Sequence, residues 1–139
     1  MLFRSIYSAT DTEIVINSVD LSDHLTKATF TETAADIETT AFGSTNVTRI
    51  GGLKDGSVSL EFQQDYDASS VYATLSSIGV GATTTLTCTP TSGALSATNP
   101  EVSVTVLITD LTFLDTTVGD LATFSVSWPF SGAVTTTTA

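Results

Sequence analysis

The segment GLKDGSVSLEF, residues 52–62, decides how this chain is read. From Ser57 onward the side chains alternate. Val58, Leu60 and Phe62 fall on one side; Ser57, Ser59 and Glu61 fall on the other. A period of two is that of a β-strand with one apolar and one wettable face. The glycines flanking Leu53-Lys54-Asp55 read as a turn that leads into this strand.

Downstream the period changes. Within residues 67–78, Val71, Leu75 and Ile78 stand at i, i+4 and i+7, one stripe of a helix. Asp67 is placed to cap its first turn and Gly79 to close it. A helix of about three turns is marginal alone, so it must pack on a sheet. Residues 83–89 form a further strand, with Leu86 and Cys88 on one face and Pro90 after it. In the next, Val102, Val104, Val106 and Ile108 alternate with Ser103, Thr105, Leu107 and Thr109. In the last, Ala122, Phe124, Val126 and Trp128 alternate with Thr123, Ser125 and Ser127. Pro129 stops that ladder, because it has no N–H to donate. Residues 91–100 and 115–120 connect these strands as turn-rich segments.

Upstream, residues 13–19 read as a first strand and 25–33 as a second, anchored by Phe30, with a turn at 20–23. The two are expected to pair as a hairpin. Residues 34–51, AADIETTAFGSTNVTRIG, lose the alternation. Long structureless stretches are uncommon in compact domains and are usually functional. Ile37, Phe42, Val47 and Ile50 are more apolar than a bare linker needs. The segment therefore reads as a long loop ordered by a partner subunit, with a further strand near 36–40 as the alternative. Residues 1–12, containing Phe3, Ile6 and Tyr7, read as an N-terminal arm. Residues 131–139, SGAVTTTTA, read as a mobile tail or docking arm.

The expected fold is mainly β: one domain over residues 1–139, an antiparallel sandwich or barrel with one short flanking helix. Its core is assigned to Phe30, Leu60, Phe62, Val71, Leu75, Ile78, Val104, Phe124 and Trp128. A chain of 139 residues suits a single domain with a core large enough to dispense with metals and disulfides. Thr and Ser make up about a third of it, so the wettable faces are hydroxylated more than charged. Such a surface is easily covered by a neighbour.

Fifteen Asp and Glu face four Lys and Arg, a net charge of −11. With so few cations to displace counterions from phosphates, electrostatic binding of nucleic acid is excluded. The 41% hydrophobic content argues for a folded chain despite the acidity. Cys88 is the only cysteine, which rules out an internal disulfide, and it reads as a small buried thiol. No segment is apolar for long enough to suggest a secretory signal or a membrane span, so synthesis in a reducing cytoplasm is expected.

Catalytic chemistry lacks its residues. His24 is the only histidine, near Asp20 and Asp23 in a turn, with no second His and no Cys beside it for zinc. The spacing of those acids is not that of an EF-hand loop. No nucleophile elbow and no phosphate-binding glycine loop occurs, since the Gly51-Gly52 pair before Lys54 opens no helix. An acid pair such as Asp65 with Asp67 remains for glycoside chemistry, but few aromatics are present to line a sugar cleft. No cofactor or metal is expected.

Residues 52–75, 90–110 and 118–135, GLKDGSVSLEFQQDYDASSVYATL, PTSGALSATNPEVSVTVLITD and VGDLATFSVSWPFSGAVT, together resemble the small tail tube, or major tail, proteins of actinobacterial and related long-tailed phages. The resemblance runs from about Asp20 to the C-terminus. It implies subunits joined edge to edge in hexameric rings that stack into a hollow tube. Inner sheets would make a continuous barrel, and long loops and terminal arms would link the rings. It also implies a virion location, with tape measure, tail terminator and baseplate proteins as partners, and passage of double-stranded DNA without specific binding. A lumen lined with carboxylates, Thr and Ser would let phosphates pass quickly. Capsid decoration, a head–tail connector role, or a soluble β-sandwich binding module are the alternatives. Self-association distinguishes them.

Overall fold

A computed structural model describes residues 9–139. Residues 1–8, the greater part of the arm expected at 1–12, lie outside the described residues. Among the described residues, eight strands form two antiparallel sheets. The strands are β1 (Glu13–Ile16), β2 (Val19–Asp20), β3 (Leu25–Glu38), β4 (Arg49–Gln63), β5 (Thr83–Thr89), β6 (Glu101–Leu107), β7 (Thr123–Pro129) and β8 (Thr135–Thr137). One sheet has the order β2-β1-β5-β6-β8 and the other β3-β4-β7. One helix, α1 (Val71–Ile78), follows β4. The architecture is a β-sandwich with one short helix.

The alternating faces close on each other. Ile14 and Ile16 of β1, Leu86 of β5, and Val104 and Val106 of β6 meet Val58, Leu60 and Phe62 of β4 and Phe124, Val126 and Trp128 of β7 in one buried cluster. Val71 and Leu75 of α1 enter the same cluster, and Phe30 and Ile78 are partly buried against it. The Phe62 and Phe124 rings stack at 5.6 Å between centroids, on strands that pair them directly. The indole N–H of Trp128 donates to the Asp110 carbonyl at 3.1 Å, so the largest buried side chain keeps its polar atom satisfied.

Several local expectations are corrected. The first two strands do not pair: β1 belongs to the five-stranded sheet and β3 to the other. Residues 13–19 instead make a tight hairpin of their own. Asn17 and Ser18 both take positive φ, which a two-residue hairpin turn requires and Asn tolerates. Buried Leu21 and a 3-10 turn at Ser22–His24 then carry the chain to the second sheet. The turn read at residues 52–56 is continuous strand within β4. The helix begins at Val71 with Ser70, not Asp67, as the N-cap residue; Gly79 does close it, in a positive-φ conformation.

The segment at 34–51 is not one loop. β3 continues to Glu38 and β4 starts at Arg49, so only residues 39–48 form the tip of a long hairpin. Part of the tail at 131–139 is also strand, because β8 pairs with β6. It gets there by a crossing at the sandwich corner. The Phe130 N–H donates to Gly56 of one sheet, and the Ser131 N–H to Thr105 of the other.

Candidate assembly surface

The two faces of the three-stranded sheet follow from register. Leu60 stands between Ala28 and Val126, and Phe30, Val58 and Trp128 form the neighbouring inward row. The outward rows include Thr29–Ser59–Ser127, Lys27–Glu61–Ser125 and Thr31–Ser57–Pro129, with Thr33 and Asp55 beyond them on β3 and β4. The Ser59 hydroxyl donates to that of Ser127 at 3.3 Å. This face is thus mainly hydroxylated, with Lys27 opposite Glu61 and Asp55 opposite Thr33. Among the described residues, β3 and β7 pair only with β4, so each has an outer edge with no strand beside it; on β7 the Ser127 carbonyl accepts from the Thr109 hydroxyl at 3.4 Å, and Pro129 has no N–H. Free edges of this length are templates for another chain unless something covers them.

The outer half of the β3–β4 hairpin has no core to rest on. Every residue from Thr31 to Gly51 is exposed. Its order is internal. Ile37 stands opposite Ile50, and the Arg49 guanidinium donates to the Asp36 carboxylate at 2.8 Å. At the tip, the Thr39 N–H donates to the Thr48 carbonyl at 2.8 Å, and the Thr48 N–H donates to the Thr40 hydroxyl at 3.0 Å. Gly43, at φ 89°, lets the chain reverse. The four apolar residues singled out in the sequence all lie on this hairpin: Ile37 and Ile50 on its strands, Phe42 and Val47 in its tip. All four are exposed, Phe42 completely. The tip residues 39–48 carry no charged side chain.

A second exposed apolar cluster stands at the other end of β4 and was missed in the sequence. The Tyr66, Tyr72 and Phe113 rings contact one another pairwise, with centroids 5.2 to 5.6 Å apart. Tyr66 and Phe113 are about half exposed, as is Leu114 beside them. The cluster is fixed in place. The Gln64 side-chain amide donates to the Thr112 and Phe113 carbonyls, and the Tyr66 hydroxyl donates to Phe113 as well. The only sequence signal was Asp65-Tyr66-Asp67 itself; Phe113 lies 47 residues further on.

Next to this cluster, His24 Nε2 lies 2.9 Å from a carboxylate oxygen of Asp65. The Ser70 hydroxyl donates to the same carboxylate at 2.8 Å, and the Asp67 N–H at 2.9 Å. These bonds, the backbone one foremost and then the Ser70 hydroxyl, hold Asp65 below the usual carboxylate range, with His24 adding to them. A serine, an aspartate and a histidine are therefore together, but in the wrong order for nucleophilic catalysis. The hydroxyl bonds to the carboxylate, and the imidazole is not placed to take its proton.

An open groove of about 700 Å³ runs between β3 and the β1–β5–β6 side, lined by Ile14, Leu25, Phe30, Val58, Cys88 and Val102 among others. Lys27 is the one charged residue that borders it. Burial pushes the half-buried Cys88 thiol up, away from thiolate chemistry. Among the described residues, no group of three or more His, Cys, Asp or Glu is placed to hold a metal ion. Among them also, no helix is long and apolar enough to cross a membrane.

No family model matches the chain, and no curated protein matches it. Its fold, however, recurs in assembled particles. A chain of the virion of a native gene transfer agent particle aligns with 95% of this chain and 99% of its own length, at a TM-score of 0.74 and 15% identity. A chain of the tail of an empty gene transfer agent particle, a tail with C6 symmetry, aligns over 82% of each at a TM-score of 0.63 and 16% identity. At such identities the likeness is one of fold.

Proposed function

We propose that this chain is a non-enzymatic structural subunit of a phage-like tail, self-assembling into stacked rings that form the tail tube. The observation that carries this reading is the three-stranded sheet, with no strand beside either outer edge and a hydroxyl-lined outer face. Pairing β7, seven residues long, with half of the fourteen-residue β3 of the next copy would cover both along that length and extend the sheet around a ring. Six copies, the symmetry of the tail in which the fold recurs, would give a barrel of about eighteen strands. At a spacing of about 4.8 Å and a tilt of about 40°, that barrel measures roughly 35 Å between facing backbones. Barrels of that strand number leave an aqueous channel.

The outward rows would then be the lumen wall, more hydroxylated than acidic, with Lys27 and Glu61 opposite each other. Such a wall offers passing DNA neither a cationic grip nor a strong repulsive field. The long hairpin supplies contacts between rings. The tape measure, tail terminator and baseplate proteins are the further partners, and the virion, after synthesis in the host cytoplasm, is the location.

Light scattering of the purified protein across a salt series, with electron micrographs at each end, tests the reading. Each copy carries a net charge of −11, so rings crowd like charges. Screening over about 10 Å at 0.1 M salt relieves that repulsion. Rings or tubes are expected to grow as salt rises, with no retention of duplex DNA at low salt. A trimer would favour capsid decoration, and a monomer at all salts and concentrations a binding module. Either result overturns the tube.

A further inference from the structure

Resting on that reading, we infer that the Tyr66–Tyr72–Phe113 cluster is the receptor for the hairpin tip of a second copy of this chain. The two exposed apolar clusters sit at opposite ends of one strand. β4 begins at Arg49 beside the tip and ends at Gln63, where Gln64 and Tyr66 build the aromatic cluster. Fourteen residue steps at about 3.3 Å place the two roughly 45 Å apart. They cannot meet within one molecule. A copy displaced along the strand direction brings the tip of one to the cluster of the next, and repetition gives a head-to-tail contact that continues through a stack.

The chemistry of the two ends agrees. The tip offers Phe42 and Val47, which have nothing to pack on. The receptor offers three aromatic faces and Leu114, pre-arranged by hydrogen bonds, so docking costs little ordering entropy. Asp65, Asp67, Asp110 and Asp115 lie within three residues of Tyr66 or Phe113. A partner surface bearing carboxylates would be repelled there, and residues 39–54 of the hairpin, the tip included, have none. Beside the tip stands Arg49, paired with Asp36, and further along β4 Lys54, two of the chain's four cations.

Cysteine pairing tests the assignment. Phe42→Cys and Phe113→Cys are made separately in a Cys88→Ser background. Both sites are exposed, so neither should alter the monomer's circular dichroism. If Cys88→Ser itself perturbs folding, Cys88 is kept and the unmodified chain serves as the blank. Under mild oxidation a disulfide-linked dimer is expected in the mixture of the two variants and in neither alone. Mixing Phe42→Cys with Ser57→Cys should give none. Tubes that form without a cross-link between positions 42 and 113 overturn the receptor and leave the tube standing. Cross-linking of Phe42→Cys only to itself indicates a two-fold contact and also overturns it. Absence of any polymer from the parent protein overturns both.

Discussion

The Phe130 ring occupies the space that a side chain on Gly56 would need. A Cβ built on Gly56 would stand 2.5 Å from Phe130 Cε2 and closer still to the Thr31 carbonyl oxygen. Phe130 also packs on Phe30, with ring centroids 4.9 Å apart, and its N–H donates to the Gly56 carbonyl. β3, β4 and the end of β7 thus converge, where the chain crosses to the other sheet, on a position with no room for a methyl group.

Gly56→Ala should therefore destabilise the fold by about 1–3 kcal/mol, the usual cost of forcing extra volume into a packed site. Gly51, on the same strand, has nothing within 4 Å of a built Cβ. Gly51→Ala should be neutral or gain about 0.4–1 kcal/mol from a stiffer unfolded chain. Urea midpoints at unchanged slope give both values. Equal effects would show that Phe130 moves aside freely.

That glycine also shows where the sequence stops being legible. Strict alternation marked β4, β6 and β7, because burial on one face writes a period of two into the chain. Gly56 was read as a turn because the reason for it, Phe130, lies 74 positions away and makes no local pattern. The hairpin at 34–51 was read as a loop for a related cause. Its strands rest on no core, so neither face is apolar and no period appears, although the strands still pair through Ile37 and Ile50 beyond a register shift between Ala34 and Asp36. The aromatic cluster was invisible because Phe113 joins Tyr66 and Tyr72 only through the fold. The apolar content of the hairpin was legible, and its meaning was not.

The helix gives a second prediction. Leu75 is fully buried, whereas Ser76 is exposed and its hydroxyl only approaches the Ala73 carbonyl. Leu75→Ala should cost about 2–5 kcal/mol by leaving a partly filled cavity, and Ser76→Ala should be near neutral. Denaturant melts that showed equal losses would place the helix away from the core.

Asp65 gives a third, in pH. Its carboxyl sits below the ordinary 3.8 because the Asp67 N–H, the Ser70 hydroxyl and His24 all favour the charged form. A group whose folded pKa is depressed contributes stability that is present above its unfolded pKa. That stability is lost as pH falls through the lower, folded value. Asp11, held down by the hydroxyl and N–H of Ser92, acts in the same direction. Acidification below about pH 4 should lower the urea midpoint of the wild type, and Asp65→Asn should make that fall shallower. A variant whose acid profile runs parallel to the wild type would remove Asp65 as a contributor.

The hairpin tip separates folding from assembly. Phe42 and Val47 are exposed and make no contribution to the buried cluster, so replacing both with Ser should change the monomer's melting little, within about 0.5 kcal/mol. If the tip joins one ring to the next, the same double variant loses an apolar contact in every repeat along the tube. Side chains of this size each contribute about 1.5–3 kcal/mol when fully buried, enough to abolish long polymers whose stacking is repeated and weak. Edge pairing between β3 and β7 does not involve the tip, so isolated rings should survive. Micrographs should accordingly show rings in place of tubes, at unchanged circular dichroism. Tubes of normal length would take the tip out of the stacking contact. An unfolded variant would mean that the tip supports the monomer in a way its exposure does not reveal.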